Sequence, residues 1–323
     1  MRHGPIRGAV LAGVMLAVAL AAPVGAITNG EPDDGEHPYV GQLLFYIPDE
    51  VDDRFDDPGS WFNCTGTLLS PTVVLTAGHC TFGTGLDGVA TTEDGGWGGN
   101  DVWVSFEEAP DYTGLSSAPF IPDDNAGRYA SFRDTLNAND TWIRGTAYPQ
   151  PGFDIATFFL HDAGVVVLDE PFVPEVGAGE DTHADLPEPY YLDSLRGRDK
   201  PQTLFESVGY GFERSLPIGV FGGDTRMKSQ QVIVNSNGVY GVHDDSSIVF
   251  SNNNGTPHRG GTCSGDSGGP YLLDDTNDLV GVNSYARQPN CTGGDGGYRI
   301  DQPDVLDWLR LVLDGEPPRD ATG

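Results

Sequence analysis

The stretch TCSGDSGGP, residues 262–270, sets Ser267 among glycines. A backbone of that kind can turn sharply, leaving a hydroxyl exposed while nearby N–H groups point at a substrate carbonyl, which is what nucleophilic catalysis requires. Serine oxygen is a poor nucleophile near neutral pH, so a base with a pKa close to the working pH must take its proton, and histidine suits that task. LTAGHC, residues 75–80, offers His79 in a strand-to-turn context beside Cys80. His161, His183, His243 and His258 lack that context and read as ordinary surface residues. The imidazole must in turn be held in one tautomer by an ionised carboxylate. Asp162 in HDAGVVVLDEP stands at the start of a continuous apolar strand, and Asp154 in FDIATFFL has a similar setting. The turn-like DEP that closes AGVVVL favours Asp162.

The elements that must carry these residues are mostly strands. Short runs rich in β-branched and aromatic residues recur between Gly, Pro, Asn and Asp clusters, at 39–47, 66–77, 101–106, 163–168, 203–211, 228–235, 246–251, 270–273 and 279–286. Many short strands at that spacing predict a sandwich or barrels. One clear helix is predicted over 304–313, where Val305, Trp308, Leu309 and Val312 share a face behind Pro303. The interval from Thr81 to Pro151 is Gly- and Asp-rich and predicts strands with large inserted loops. A Pro-rich, charged stretch over 187–201 reads as a linker between two strand-rich halves. The domains expected are 27–190 and 191–314, with a flexible tail over 315–323.

Residues 1–26 read as a secretion signal: Arg2, His3 and Arg7, then AVLAGVMLAVALAA, Pro23 and the small-residue site V-G-A. The apolar run is shorter than the ~20 residues of a membrane-spanning helix. A secreted, extracellular protein is therefore expected, not bound to membrane. The chain of 323 residues carries 48 Asp and Glu against 17 Lys and Arg, a formal net charge of −31. Such a surface repels nucleic acid and anionic lipid. An even set of cysteines, Cys64, Cys80, Cys263 and Cys291, predicts two disulfides in an exported chain, with three connectivities open from spacing alone. No C-x-x-C pair or zinc-binding histidine spacing occurs, so neither metal nor cofactor is expected. Glu93, Asp94 and Asp101 in TTEDGGWGGND read as an acidic loop without recognisable calcium-ligand spacing. N-x-T sites stand at Asn63, Asn139, Asn254 and Asn290.

GDSGGP, TAGHC, the strand after Asp162 and the start ITNGEP with HPYVGQL together resemble the chymotrypsin-like (trypsin-fold) serine endopeptidases, from Ile27 to the helix near Leu313. The resemblance implies an all-β fold of two six-stranded antiparallel barrels with a C-terminal helix and a cleft between the barrels. It implies Ser267 as nucleophile, His79 as general base and then acid, Asp162 as orienting carboxylate, and the N–H groups of Gly265 and Ser267 as oxyanion hole. Ser284 corresponds to the serine that helps hold the aspartate, and Ser284, Tyr285 and Ala286 to backbone that binds an extended substrate. Cys64 pairs with Cys80 and Cys263 with Cys291 on the same basis. A new amine at Ile27 would fold inward onto Asp266, with signal removal itself generating it.

Six residues before Ser267, where trypsin-type relatives carry an acid, this chain has Gly261. Thr262, Ala286 and Gly296 complete an expected uncharged pocket, which points away from Arg/Lys specificity. The partners expected are polypeptide substrates and protein protease inhibitors, with the chain a monomer. Two other readings stand beside this one: a protease-like secreted binding protein without catalysis, and a lipase or esterase. The latter joins its G-x-S-x-G strand to a helix, whereas PYLL after Ser267 reads as a strand.

Overall fold

The computed structural model describes residues 27–49, 59–86, 100–115, 124–178, 181–195, 203–216, 219–223, 225–236, 246–252, 259–288, 291–316 and 318. The expected leader, Glu93, Asp94, His243, His258, Asn254, Asn290 and part of the expected linker lie outside them. After a short β1 (Glu31–Pro32), six strands close a barrel: β2 (Val40–Ile47), β3 (Ser60–Ser70), β4 (Val73–Thr76), β5 (Asn100–Ser105), β6 (Ile143–Pro149) and β7 (Gly164–Leu168). Their order is β2-β3-β4-β7-β6-β5, with every neighbouring pair antiparallel. Val40, Leu43, Phe45, Leu68, Val74, Leu75, Val102, Val104 and Val165 fill the interior. Each such side chain stabilises by about 1.5–3 kcal/mol when fully withdrawn from water.

The second half contains β8 (Phe205–Gly209), β9 (Phe212–Leu216), β10 (Gly219–Gly222), β11 (Met227–Gln231), β12 (Ile233–Asn235), β13 (Ser247–Phe250), β14 (Pro270–Leu273), β15 (Leu279–Ala286) and β16 (Asp295–Arg299). Eight strands form one sheet in the order β1-β11-β8-β14-β15-β16-β13-β12, and β9 and β10 make a separate hairpin. The stretch 227–235 serves both sides of this sheet. Its first half pairs with β8 and its second half with β13, and Ser251 N donates to Val232 O at the bend between them. The all-β expectation of two barrel-like sheets holds, with the second carrying eight strands rather than six.

Two features depart from the sequence reading. An α-helix, α1 (Asn125–Asn137), lies within the interval expected to hold strands and loops. Asp124 caps it by accepting from Gly127 N, and Tyr129 and Leu136 are buried against Tyr46, Trp103 and Trp142, with the Trp61 and Tyr129 rings stacked. A two-residue stretch before the first barrel, β1, belongs to the second sheet. After α2 (Tyr191–Ser194), the terminal α3 (Pro303–Leu313) buries Val305, Leu306, Trp308, Leu309 and Val312, the face anticipated from periodicity. No helix among the described residues is long and apolar enough to cross a membrane.

Candidate active site

His79 sits on a single 3-10 turn, Gly78–Cys80, that continues β4. Asp162 lies two residues before the strand β7 that pairs with β4, so the antiparallel register carries the two side chains to the same end of the barrel. Nδ1 of His79 lies 2.9 Å from Oδ2 and 3.1 Å from Oδ1 of Asp162, and the backbone N–H of His79 donates to Oδ1 at 2.9 Å. Ser284 Oγ donates to Oδ2 at 2.5 Å. Asp162 is fully buried, whereas about a quarter of the imidazole, 24%, is exposed. The Phe158 ring meets both His79 and Tyr285 edge-on. Asp154 is not part of this cluster; it caps the 3-10 segment Ile155–Leu160 by accepting from Ala156 N.

Ser267 belongs to the second half of the chain but is fixed by the first. Its carbonyl accepts from Thr65 N at 2.8 Å, and Thr65 Oγ1 donates to Gly265 O at 2.9 Å. Gly268, at φ +80°, lies so close to the first barrel that a Cβ there would fall 2.0 Å from Thr76 Oγ1 and 2.6 Å from Ala77 N. That contact brings Ser267 to the segment leading directly into His79. Cys80 Sγ, in disulfide with Cys64, lies 3.8 Å from Ser267 O. No hydrogen bond joins His79 to Ser267 in this conformation. The N–H groups of Gly265 and Ser267 donate to no other described residue, leaving two donors on the loop around the hydroxyl. The second disulfide, Cys263–Cys291, ties that loop to the segment before β16.

Asp266 turns away from solvent and is fully buried, accepting from Gly211 N at 2.7 Å and Cys263 N at 2.8 Å. Burial pushes its carboxyl up to about 7, against the pull of those two N–H groups, and the negative charge of Asp295 adds to the rise. Ile27 is buried beside Met227, and Thr28 exchanges backbone hydrogen bonds with Gly261.

Asp295 lies beside the residues expected to line the pocket. Gly261 and Thr262 are buried and Ala286 is exposed. Thr262 N donates to Oδ2 of Asp295 at 2.7 Å, and a Cβ on Gly261 would fall 2.3 Å from that oxygen. The expected Gly296 is covered by Tyr285, whose ring a Cβ at that position would strike at 1.9 Å. β15 pairs Tyr285 with Gly296 and Ala286 with Asp295, so the acid shares a face with Ala286. Among sequence signals only the acid flanked by glycines in CTGGDGGYR hinted at it. Burial raises the Asp295 carboxyl to about 6 against hydrogen bonds from Thr262, Asn252 and Gln231.

Comparison with known proteins bears on this arrangement. The family model described as Trypsin matches residues 223–309. Serine protease 1 of Drosophila melanogaster is 25% identical over 295 residues, covering 88% of this chain and 85% of that protein. Among solved structures, HL collagenase aligns with a TM-score of 0.58 at 18% identity over 89% of this chain and 99% of its own. The scabies mite inactivated protease paralogue S-D1 aligns with a TM-score of 0.56 at 15% identity over 91% and 100%. The family model and the relative are likenesses to serine proteases, and the solved structures show the trypsin fold.

Proposed function

We propose that this chain, built on the trypsin fold, is an exported serine endopeptidase that cleaves peptide bonds through an acyl-enzyme. The observation carrying the reading is the buried Asp162 that holds His79 by side chain and backbone at once, with Ser267 stitched to the same barrel end. Ser267 Oγ attacks the scissile carbonyl while His79 Nε2 accepts the hydroxyl proton. Asp162, bonded to Nδ1, fixes the tautomer and stabilises the imidazolium that forms. The tetrahedral oxyanion faces the N–H groups of Gly265 and Ser267, each such donor contributing about 2.7–4 kcal/mol to barrier lowering. His79 then returns its proton to the leaving amine, and water, deprotonated by the same imidazole, hydrolyses the ester. Catalytic hydrogen bonds in unliganded enzymes are commonly long and tighten on substrate binding, which accommodates the open His79–Ser267 pair.

Removal of residues 1–26 would free the amine of Ile27, and the burial of Ile27 and the pairing of Thr28 support its insertion toward Asp266. An ammonium there would neutralise a carboxylate that otherwise lies buried without a cation. A second reading, a secreted binding protein with a protease fold, draws on the missing His79–Ser267 bond and on the inactivated relative. Treatment with a radiolabelled organophosphate decides between them. One label per chain on Ser267, with parallel loss of peptide hydrolysis, supports the endopeptidase; no label on a folded chain beginning ITNG supports the binding protein.

A further inference from the structure

A cavity of about 640 Å³ opens at one edge of the second sheet, and none of His79, Asp162 or Ser267 lines it. β1, β11, β8 and β14 run side by side there. Lys228 and Gln230, alternate residues of β11, face it together with Glu206, which stands opposite Gln230 on β8. Asp34 and Glu36 bound it on the side of the segment after β1, and Asp274 and Asp275 on the side of the turn after β14. With Glu31 and Asp181, seven of its lining residues are acidic, against Lys228 and His37 as cations.

Both cations are already engaged. Lys228 Nζ pairs with Glu36 and lies 3.5 Å from Glu206, while His37 reaches Asp33 through Nδ1 and Glu206, at 3.4 Å, through Nε2. Asp34, Asp181 and Asp275 form no ion pair with a described residue. Burial raises the Asp274 carboxyl against a hydrogen bond from Gln230, and the negative charge of Asp275 and Glu206 adds to the rise. An independent sign comes from Tyr39. Only 3% of it is exposed and it lines the cavity, yet its hydroxyl makes no hydrogen bond with a described residue. Of the charged groups around that hydroxyl, Asp181 acts on it most strongly.

A buried hydroxyl without a partner is costly, and carboxylates gathered without cations repel one another. N–H groups carried on a cation relieve both. A metal ion does not suit these walls. Among the described residues no three of the carboxylates bring oxygens within 4.8 Å of one another, so the compact oxygen cage of a hard cation is missing. The acids stand on separate walls, which calls for several positive charges spread along a chain, and a cavity of this size suits a small organic molecule.

We propose that this cavity binds a linear aliphatic polyamine, its ammonium groups meeting Asp34, Asp181 and the Asp274–Asp275 pair and one of them donating to the Tyr39 hydroxyl. The site is separate from the catalytic cluster and does not depend on the endopeptidase reading.

Calorimetric titration of the purified chain with spermine in about 0.15 M salt, where diffuse attraction is screened beyond about 8 Å, tests it. One saturable site per chain is expected. Asp274→Asn with Asp275→Asn should weaken it about 10-fold or more, and Tyr39→Phe about 5-fold. Asp304→Asn with Asp307→Asn removes the same charge from α3 and should leave the affinity unchanged. Thermal melts without ligand check that each variant folds, and spermine should raise the midpoint of the parent chain. Absence of a saturable site, equal weakening by both aspartate pairs, or full affinity in Tyr39→Phe overturns the proposal. Displacement of spermine by equimolar calcium chloride also overturns it, marking a metal site, as does tighter binding of tetralysine than of spermine, marking a docking surface for basic polypeptide.

Discussion

Thr28 and Gly261 exchange two backbone hydrogen bonds, at 2.9 and 3.0 Å, which fastens the residue after Ile27 to the segment leading into Asp266. The consequence is readable as stability. Asp266 is raised to about 7 by burial, above its unfolded value of about 3.9. With the Ile27 amine blocked, the folded chain therefore holds a proton that the unfolded chain has released. Stability then falls as pH rises from about 4 to about 7, by a few kcal/mol. A free Ile27 ammonium removes this loss. Urea denaturation at pH 5 and pH 8 should show the decline for a chain retaining Ala26 and little of it for one beginning at Ile27.

The two candidate carboxylates separate by kinetics. Asp162→Asn keeps the shape but offers His79 the wrong partner, so kcat should drop by about 10⁴-fold. Asp154→Ala removes only the cap of the 155–160 segment, costing about 1 kcal/mol of stability with kcat unchanged. Steady-state assays on a peptide anilide, with thermal melts alongside, check both.

A buried ion network that joins the second sheet to the first barrel should be indispensable for folding. Arg226 Nε donates to Asp33 Oδ2 at 2.8 Å, and its Nη1 donates to the carbonyls of Val40 and Phe106. Removing one partner of a buried pair leaves an uncompensated charge, so Arg226→Leu should lose about 3–5 kcal/mol in urea melts.

The same network carries a pH signature. Burial disfavours the charged His37, but Asp33 and Glu206 outweigh it and raise the imidazole to about 9. A raised histidine contributes stability that is complete below its unfolded pKa of about 6.5 and disappears as pH climbs through 9. Glu36, Lys228 and Arg226 also surround this corner. His37→Gln should flatten the alkaline side of the stability profile between pH 7 and 10 while lowering stability at pH 6.

Gly268 admits no side chain. Its φ of +80° disfavours L residues, and a Cβ would meet Thr65 O at 2.5 Å as well as Thr76 Oγ1. Gly268→Ala should therefore displace Ser267 from the first barrel. Organophosphate labelling of the variant should slow by more than about 100-fold, a loss of some 2.7 kcal/mol.

How much of this was legible depended on where the information resides. His79 and Ser267 announce themselves because their chemistry needs particular neighbours, and AGVVVL is apolar enough to be a strand in any context. Ile143–Pro149 and Asp295–Arg299 are not, since IRGTAYP and DGGYR lack an apolar alternation, and their strand state comes from β5, β7, β13 and β15 on either side. α1 escaped notice because NAGRYASFRDTLN buries only Tyr129 and Leu136, too few to mark a helical stripe. The acid beside Gly261 is not legible for a different reason. Counting back from Ser267 finds Gly261, whereas the acid reaches the same space from a strand whose register alone places it there.

Thr65 occupies an unusual post. Its N–H holds Ser267 O, its hydroxyl donates to Gly265 O and accepts from Tyr210 N, and its carbonyl takes the Thr76 hydroxyl three residues before His79. The spacing between Ser267 and His79 is thereby gauged along one short run of main chain. Loops elsewhere can lengthen, shorten or change charge without disturbing that gauge, so a lineage built on this scaffold is free to vary at its rim while Ser267 and His79 keep their mutual setting.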